Sequence, residues 1–236
     1  MRLRSISAFV LASSLGVASW GATDGPAEYA VRWTASPGLD SATSVLSALG
    51  LRPGKVKAYE VKYFAVTQPA PAPTGYKVVG RERGPSGGKV DATYKVRGPE
   101  PVPAEVQTWK CPLTALNESK AEVDVGFLGL NDVKRAFSVS CTAEKSGLNA
   151  SLPAGYSAKP AGCTNKMERT KADSADFEVK VERWTLPKGQ AVIEVSWEGK
   201  DSKTDFERFR DNVVQPLLKL NVRPLDVSKT ELGSDC

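Results

Sequence analysis

Residues 28–35 read Glu-Tyr-Ala-Val-Arg-Trp-Thr-Ala, and residues 89–97 read Lys-Val-Asp-Ala-Thr-Tyr-Lys-Val-Arg. In each stretch nearly every second residue is apolar, and the positions between them are mainly polar or charged. A period of two places alternate side chains on opposite faces of a strand, so this pattern is typical of a β-strand with one face in a core. The two stretches therefore predict a β protein whose second strand face carries charge.

The same alternation recurs along the chain between Gly, Pro, Asn and Ser residues. It predicts further strands over residues 56–66, 75–83, 121–127, 134–142, 176–186 and 190–198. Apolar stripes at helical spacing predict two helices, over residues 41–49 and 204–220, that must lie against a sheet face. The predicted fold is mainly antiparallel β, of the α+β class, in a single domain of residues 23–236.

The segment 145–174 lacks this alternation. It is rich in Ser, Ala, Gly, Pro and Lys, and we interpret it as a long surface loop within the domain.

The N-terminus has the pattern of a cleavable secretory signal peptide. Two arginines precede an apolar, small-residue run at residues 5–17, which is too short to span a bilayer, and small residues follow it. We expect residues 1–22 to be removed by cleavage between Ala18 and Ala22, which implies export to the periplasm or secretion, with no transmembrane segment left. Cleavage lowers the net charge of +5 by two, and so mild a basic excess does not indicate a nucleic-acid partner.

All four cysteines follow the predicted signal peptide: Cys111, Cys141, Cys163 and Cys236. An even number of cysteines in an oxidising compartment usually forms disulfides, and four cysteines allow three pairings. We favour Cys111 with Cys141 and Cys163 with Cys236, since the second bond would tie down the terminal residue.

The sequence contains no histidine. Without an imidazole, Ser-His-Asp hydrolysis, Cys-His proteolysis and HExxH metalloproteolysis are excluded. Any metal ligands must be mainly carboxylate and carbonyl oxygens, which favour Mg, Mn or Ca over zinc.

Charged residues stand two apart on several predicted strands, and therefore share a face. Glu122 and Asp124 form such an acidic pair, and the basic pairs are Arg81 with Arg83 and Lys95 with Arg97. Glu178 and Glu182, and Glu194 and Glu198 with Ser196 between them, stand four apart and so also share a face. In an open sheet these faces are simply solvated, and alternation alone favours that interpretation. In a closed barrel they line one lumen, where cations bind phosphate oxygens and carboxylates hold a divalent ion.

The order of these elements resembles the CYTH superfamily, the triphosphate tunnel metalloenzymes. In the first half the similar segments are Glu28-x-Ala30-x-Arg32, a short helix, residues 59–64, Arg81-x-Arg83 and residues 93–97. In the second half they are residues 181–186, residues 192–196, the helix with Phe206 and Phe209, and residues 227–231. The resemblance covers most of the chain after the predicted signal peptide.

This resemblance implies a closed β-barrel that encloses a charged tunnel, with helices packed outside. It also implies binding, and in active members hydrolysis, of triphosphates or related phosphorylated compounds with Mg or Mn. The implied metal ligands are Glu28, Glu122, Asp124, Glu182 and Glu194. The implied phosphate-binding residues are Arg32, Arg81, Arg83, Lys95, Arg97, Arg183 and Lys229.

Two positions depart from the family pattern. Ala30 stands where the signature has its second acid, and Ser196 follows Glu194 where a second acid is expected, so each acidic set has one carboxylate fewer. Three functions remain open: a metal-dependent phosphohydrolase acting outside the cytoplasm, a module that binds an anionic phosphorylated ligand without catalysis, and a secreted structural or partner-binding β-domain. The sequence assigns no catalytic residue, ligand identity or oligomeric state.

Overall fold

The computed structural model describes residues 23–116, 118–173 and 177–234. The predicted signal peptide, residues 1–22, lies outside the described residues, and its cleavage stays a prediction. Within the described ranges, no helix combines the length and apolar content needed to cross a membrane.

The described chain is mostly strand. The strands are β1 (Pro26–Thr34), β2 (Lys57–Thr67), β3 (Lys77–Gly84), β4 (Asp91–Gly98), β5 (Glu118–Phe127), β6 (Val133–Ala143), β7 (Ser157–Pro160), β8 (Asn165–Asp173), β9 (Glu178–Thr185) and β10 (Ala191–Lys200). The helices are α1 (Ala42–Ala48), α2 (Ala104–Gln107), α3 (Leu148–Ser151), α4 (Lys203–Phe209), which continues through a π-helical turn (Arg210–Val214) into α5 (Gln215–Lys219), and α6 (Lys229–Ser234).

Nine of the ten described strands close into a barrel. Neighbouring strands are hydrogen-bonded in the order β3-β4-β6-β5-β1-β10-β9-β8-β2, and β2 pairs again with β3. Strand β7 pairs with β2 beyond the end of β8, on the same edge. The closed barrel is confirmed, with one feature that the sequence did not indicate: β1 and β5 run parallel, whereas the other neighbours in the described barrel are antiparallel.

The prediction of a surface loop over residues 145–174 is wrong. This segment contains β7 and also β8, which lies between β9 and β2 and is needed to close the barrel. The inward face of β8 carries Met167 and Arg169, and its outward face carries Thr170 and Ala172. Because a charged lumen takes charged side chains, β8 lacks the apolar and polar alternation that identifies a strand with one face in an apolar core.

The two predicted helices are confirmed, and both pack on the outside of the barrel. Helix α1 begins after Ser41, whose hydroxyl accepts a hydrogen bond from the backbone N of Ser44 at 3.0 Å. From the helix of residues 203–219, Phe206 and Phe209 enter the outer core formed with β1, β5, β9 and β10. Burial of such a side chain stabilises the fold by roughly 1.5–3 kcal/mol. Helix α6 instead lies next to Tyr63 of β2.

One of the two predicted disulfides is confirmed. Cys111 is bonded to Cys141, which joins the segment after α2 to β6. The other predicted pair, Cys163 with Cys236, includes a terminal residue outside the described ranges.

A buried ion cluster joins β6 to the ends of β4 and β10. Both Nη atoms of Arg135 donate to the carboxylate of Asp201 at 2.9 Å, and its Nε donates to Glu100 at 2.7 Å. Asp201 is fully buried and also accepts hydrogen bonds from the backbone N and the hydroxyl of Thr23. Burial raises the pKa of Asp201, but the hydrogen bonds from Arg135 and Thr23 outweigh it and hold the pKa below 3.8.

Replacement of Asp201 by alanine should lower the free energy of unfolding by about 3 kcal/mol at pH 7, because Arg135 loses its buried partner. The folded-state pKa of Asp201 is depressed, so this stabilisation is present above pH 3.8 and is lost as the pH falls through the folded-state value. Urea denaturation at pH 7 and pH 3 measures both effects. Asp226→Ala is the control, since its pair with Lys134 is exposed and contributes at most about 1 kcal/mol. Equal losses for the two variants would contradict this prediction.

Candidate functional site

The strand register brings charged residues from neighbouring strands together inside the barrel. Arg32 of β1 lies opposite Glu194 of β10, Glu194 lies opposite Glu182 of β9, and Glu182 lies opposite Arg169 of β8. Glu182 and Glu194 are 3% and 0% exposed. The interpretation of these faces as solvated surface is therefore wrong, because the charges point into the lumen.

These residues form a continuous chain of ion pairs. Arg32 pairs with Glu194, Lys229 of α6 pairs with both Glu194 and Glu182, and Arg169 pairs with Glu182. The indole N–H of Trp184 also donates to Glu182, at 3.0 Å. Burial raises the pKa of Glu182, but Lys229 and Arg169 outweigh burial, so the pKa lies well below 4.5 and the carboxylate is ionised.

Three other carboxylates meet where β1 and β5 run parallel. Glu28 is the register partner of Asp124, and Glu122 precedes Asp124 by two residues on the same strand face. One oxygen from each carboxylate lies within 4.8 Å of the others. We call Glu28, Glu122 and Asp124 the carboxylate triad.

The triad is held among lysines and an arginine. Asp124 accepts a hydrogen bond from Nε of Arg97 at 2.7 Å, and Lys95 lies 3.4 Å from Asp124 and 3.9 Å from Glu122. Burial raises the pKa of Glu28, but Lys229, Lys180 and Lys95 outweigh burial and lower it to about 2. Burial and the neighbouring charge of Glu28 raise the pKa of Glu122.

The triad fits a hard divalent cation. Its donors are carboxylate oxygens, which are the ligands that Mg²⁺ and Mn²⁺ prefer. The Oδ1 atom of Asp124 is buried and has no hydrogen-bond partner among the described residues, so a lone pair is available to a metal. The buried acidic cluster could therefore bind a metal, and its chemistry does not distinguish Mg from Mn.

Arginines without carboxylate partners form a third group. The Nε atoms of Arg81 and Arg83 are buried and make no hydrogen bond to described residues, although Nη2 of Arg81 donates to Thr93 at 3.2 Å. The guanidinium carbons of Arg83 and Arg169 lie 5.6 and 5.7 Å from the ring centre of Tyr59. Burial, Arg81 and Arg169 together lower the pKa of Arg83 to about 10, which still leaves it protonated at neutral pH.

Two members of the triad and the arginines border a shared cavity. Glu28, Glu122, Lys95, Arg81 and Arg83 line an internal space of about 260 Å³. Asp124 instead borders a second cavity of about 370 Å³, which also contacts Glu28, Arg81 and Lys95 and has a more apolar wall. The first cavity is therefore a strongly charged chamber and the second is a mixed chamber, and the two share several of these side chains.

A closed barrel with carboxylates facing arginines across its lumen is the arrangement that the sequence resemblance implied. The fold is CYTH-like. Similar solved structures include a protein from Vibrio parahaemolyticus described as a candidate adenylate cyclase, with 14% identity, a TM-score of 0.49, and coverage of 88% of this chain and 98% of that one. Another structure described in the same words, from Bacillus halodurans, has 14% identity and a TM-score of 0.45, and the match covers 87% of this chain and 96% of that one. A protein from Pyrococcus horikoshii has 13% identity and a TM-score of 0.45, and the match covers 87% of this chain and 98% of that one.

No family model matches the sequence, and no curated protein matches it. The likeness to these solved structures concerns the fold alone.

The CYTH-like barrel brings together most of the residues that the sequence singled out. The lumen contains Glu28, Glu122, Asp124, Glu182 and Glu194 together with Arg32, Arg81, Arg83, Lys95, Arg97 and Lys229. Their roles in metal and phosphate binding stay predictions.

Arg183 is the exception, because the structure does not bring it into the lumen with the other predicted phosphate-binding residues. It follows Glu182 directly, so it points to the outer face of the CYTH-like barrel. There its Nε donates to the backbone O of Asp40 at 2.9 Å, and Nη1 donates to Thr185 at 2.7 Å.

Sequence reasoning missed three cations of the lumen. Lys120 pairs with Glu122 at 2.7 Å, Lys180 pairs with Glu198, and Arg169 pairs with Glu182. Lys120 and Lys180 could have been found, because each stands two residues before a predicted lumen acid. Arg169 could not, because its strand was interpreted as a loop.

Proposed function

We propose that this protein binds a phosphorylated polyanion, such as a tripolyphosphate or nucleoside triphosphate, in the charged chamber of its CYTH-like barrel, together with Mg²⁺ or Mn²⁺. The observation that carries the proposal is that Glu28 and Glu122 of the carboxylate triad line one cavity together with Arg81 and Arg83, which make no ion pair with a described carboxylate. The fold alone would not support it, because one fold serves many functions.

The charge distribution favours an anion at the arginine end of the chamber. Arg81, Arg83 and Arg169 repel one another, as the lowered pKa of Arg83 indicates. Phosphoryl oxygens would accept hydrogen bonds from the N–H groups that lack partners, and their negative charge would relieve this repulsion. A guanidinium group can also hold two oxygens of one phosphate at once.

The triad would hold the metal ion that accompanies the polyphosphate. Glu28, Glu122 and Asp124 would be its ligands, and the bound ion would supply positive charge to phosphate oxygens. Lys95, between the triad and the arginines, would contact the same phosphates. Arg97 would keep Asp124 oriented through its 2.7 Å hydrogen bond.

Hydrolysis of the bound polyphosphate is the catalytic form of this proposal. Phosphoryl transfer depends mainly on alignment and on stabilisation of negative charge, so it needs no histidine. The lumen supplies fixed cations for both purposes.

Calorimetric titration of the purified protein with tripolyphosphate and with ATP, each with and without Mn²⁺, tests the proposal. We expect binding that is stronger with Mn²⁺ and that weakens as salt is added, because exposed parts of the interaction are screened. Phosphate release in the same mixtures distinguishes an enzyme from a binding module. Absence of binding heat for both ligands, at low salt and with Mn²⁺, would overturn the proposal.

A secreted structural or partner-binding β-domain is the alternative, and it makes the opposite prediction for one variant. If the lumen charges serve only the fold, Lys95→Ala with Arg97→Ala should leave every ligand titration unchanged. If the proposal is correct, the same double variant should lose tripolyphosphate binding while the barrel remains folded by circular dichroism.

We also propose that the protein is exported. The Cys111–Cys141 disulfide supports this, since disulfides persist mainly in oxidising compartments. Expression of the full chain followed by cell fractionation tests it, and retention of uncleaved chain in the cytosolic fraction would contradict it.

A further inference from the structure

The ammonium group of Lys229 occupies an unusual position inside the lumen. Helix α6 carries Lys229, and its Nζ contacts Oε2 of Glu182 at 2.8 Å and also Oε1 of Glu194. Both carboxylates are almost fully buried, and they project from the neighbouring strands β9 and β10. A cation bridged by carboxylate oxygens from two strands is coordinated much as a small free cation would be.

Close ion pairs surround the ammonium group of Lys229. Glu194 pairs with Arg32, Glu182 pairs with Arg169, and Lys229 pairs with both carboxylates. Lys229 is therefore the cation that the two carboxylates share. Because buried charges that lack partners are costly, its ammonium group stabilises this pair of carboxylates on neighbouring strands.

An aromatic ring also lies beside the ammonium group. The Nζ atom lies 5.7 Å from the ring centre of Trp184, whose indole N–H donates to Glu182. Ser196, the next inward residue on β10 after Glu194, is neutral and buried. The ammonium group is therefore held by two carboxylates and an aromatic face.

We propose that Lys229 is a tethered cation that fills a second cation site of the lumen, between Glu182 and Glu194. The exchangeable divalent ion then binds only at the carboxylate triad. This inference deepens the proposed function by fixing the number of metal ions as one, and it rests on that function only for the ion at the triad. Glu182 and Glu194, which the sequence resemblance implied as metal ligands, hold the lysine instead.

Removal of the tethered charge should open the site to a free cation. We expect Lys229→Ala to melt about 5–10 °C below wild type, because the buried carboxylates of Glu182 and Glu194 lose the ammonium group that they share. Added Mn²⁺ or methylammonium should raise the melting temperature of the variant more than that of wild type. Mn²⁺ titration followed by electron paramagnetic resonance should count one more bound ion in the variant.

Lys180→Ala is the matched control. Lys180 is also a lumen lysine, but it pairs with Glu198, which is 53% exposed and belongs to no carboxylate pair of this kind. This control should gain neither a Mn²⁺ ion nor a response to methylammonium. Should Lys229→Ala fail to fold, Lys229→Met, which keeps the apolar stem, is measured in the same way.

A response of the Lys229 variant to either cation that exceeds the wild-type response supports the inference. Equal responses of variant and wild type to both cations would overturn it. Failure of the proposed function is a separate result: wild type would then bind no Mn²⁺ at the triad, whereas the difference between variant and wild type would still report on Lys229.

Discussion

Simultaneous replacement of Arg81 and Arg83 by glutamine should weaken tripolyphosphate binding by at least about 100-fold, because each charge-assisted hydrogen bond contributes about 1.5–3 kcal/mol. Both side chains border the charged chamber, and the buried Nε atom of each has no hydrogen-bond partner among the described residues. Their replacement removes hydrogen-bond donors to the ligand, and it breaks no ion pair with a described carboxylate. Calorimetric titration at fixed Mn²⁺ and salt measures the change.

The same substitution should leave the fold intact or more stable. Burial and the neighbouring guanidinium groups of Arg81 and Arg169 lower the pKa of Arg83, which means that its surroundings disfavour its positive charge. We therefore expect the urea midpoint of the double variant to equal or exceed that of wild type. Lower affinity with unchanged or higher stability is typical of a binding site, whereas residues that serve only the fold lower stability when they are replaced.

Arg183→Gln with Arg223→Gln is the matched control. It also removes two guanidinium charges, but Arg183 lies on the outer face and Arg223 is exposed. Its tripolyphosphate affinity should remain near the wild-type value. A comparable loss of affinity in the control and in the Arg81 and Arg83 variant would show that binding follows net charge alone, and would contradict the chamber site.

The sequence predicted the strand faces better than it predicted how they meet. Charges two residues apart located Glu122 and Asp124 on one face, because the period of a strand is fixed by backbone geometry. Their contact with Glu28 depends on the parallel pairing of β1 with β5, which are separated by more than eighty residues of chain. Pairing direction leaves no local pattern in the residues. The resemblance therefore implied five metal ligands, and the structure showed that three of them meet in the triad.

The charged strand faces could be interpreted as a lumen only if the sheet was known to close into a barrel. Alternation is the same for a solvated sheet and for a sheet rolled around a polar lumen, and the sequence alone favoured the solvated form. Closure requires β8, and β8 was missed because Arg169 on its inward face stands between the polar residues Glu168 and Thr170. The resemblance in element order supplied the barrel that periodicity could not.

The ion pairs of Lys229 are another feature of the site that the sequence could not predict. The family resemblance implied that Lys229 binds phosphate. The structure places Lys229 in the lumen, where its ion-pair partners are carboxylates of β9 and β10. Which carboxylates bind a metal and which bind a lysine depends on how α6 enters the barrel. Helix α6 packs against Tyr63 of β2. The two segments are far apart in the chain, so local sequence patterns do not predict this contact.

Glu28→Gln should abolish most Mn²⁺ binding by the wild-type barrel. Loss of a residue that merely orients a metal ligand costs about 10–100-fold in affinity, so loss of a ligand carboxylate should exceed that range. Glutamine keeps the shape of glutamate and one oxygen but removes the charge, and the affinity of a hard cation depends on the charge of its ligands. Electron paramagnetic resonance of Mn²⁺ titrations measures the affinity directly.

The variant should otherwise resemble wild type, because Glu28 is charged without forming a close ion pair to described residues. Glu198→Gln is the matched control, since Glu198 borders the same chamber and is the register partner of Glu28 on β10, but lies outside the triad. It should bind Mn²⁺ with nearly the wild-type affinity. If Glu28→Gln bound Mn²⁺ as tightly as Glu198→Gln, the metal would have to bind elsewhere, and the triad could not be the site at which a metal and a polyphosphate meet.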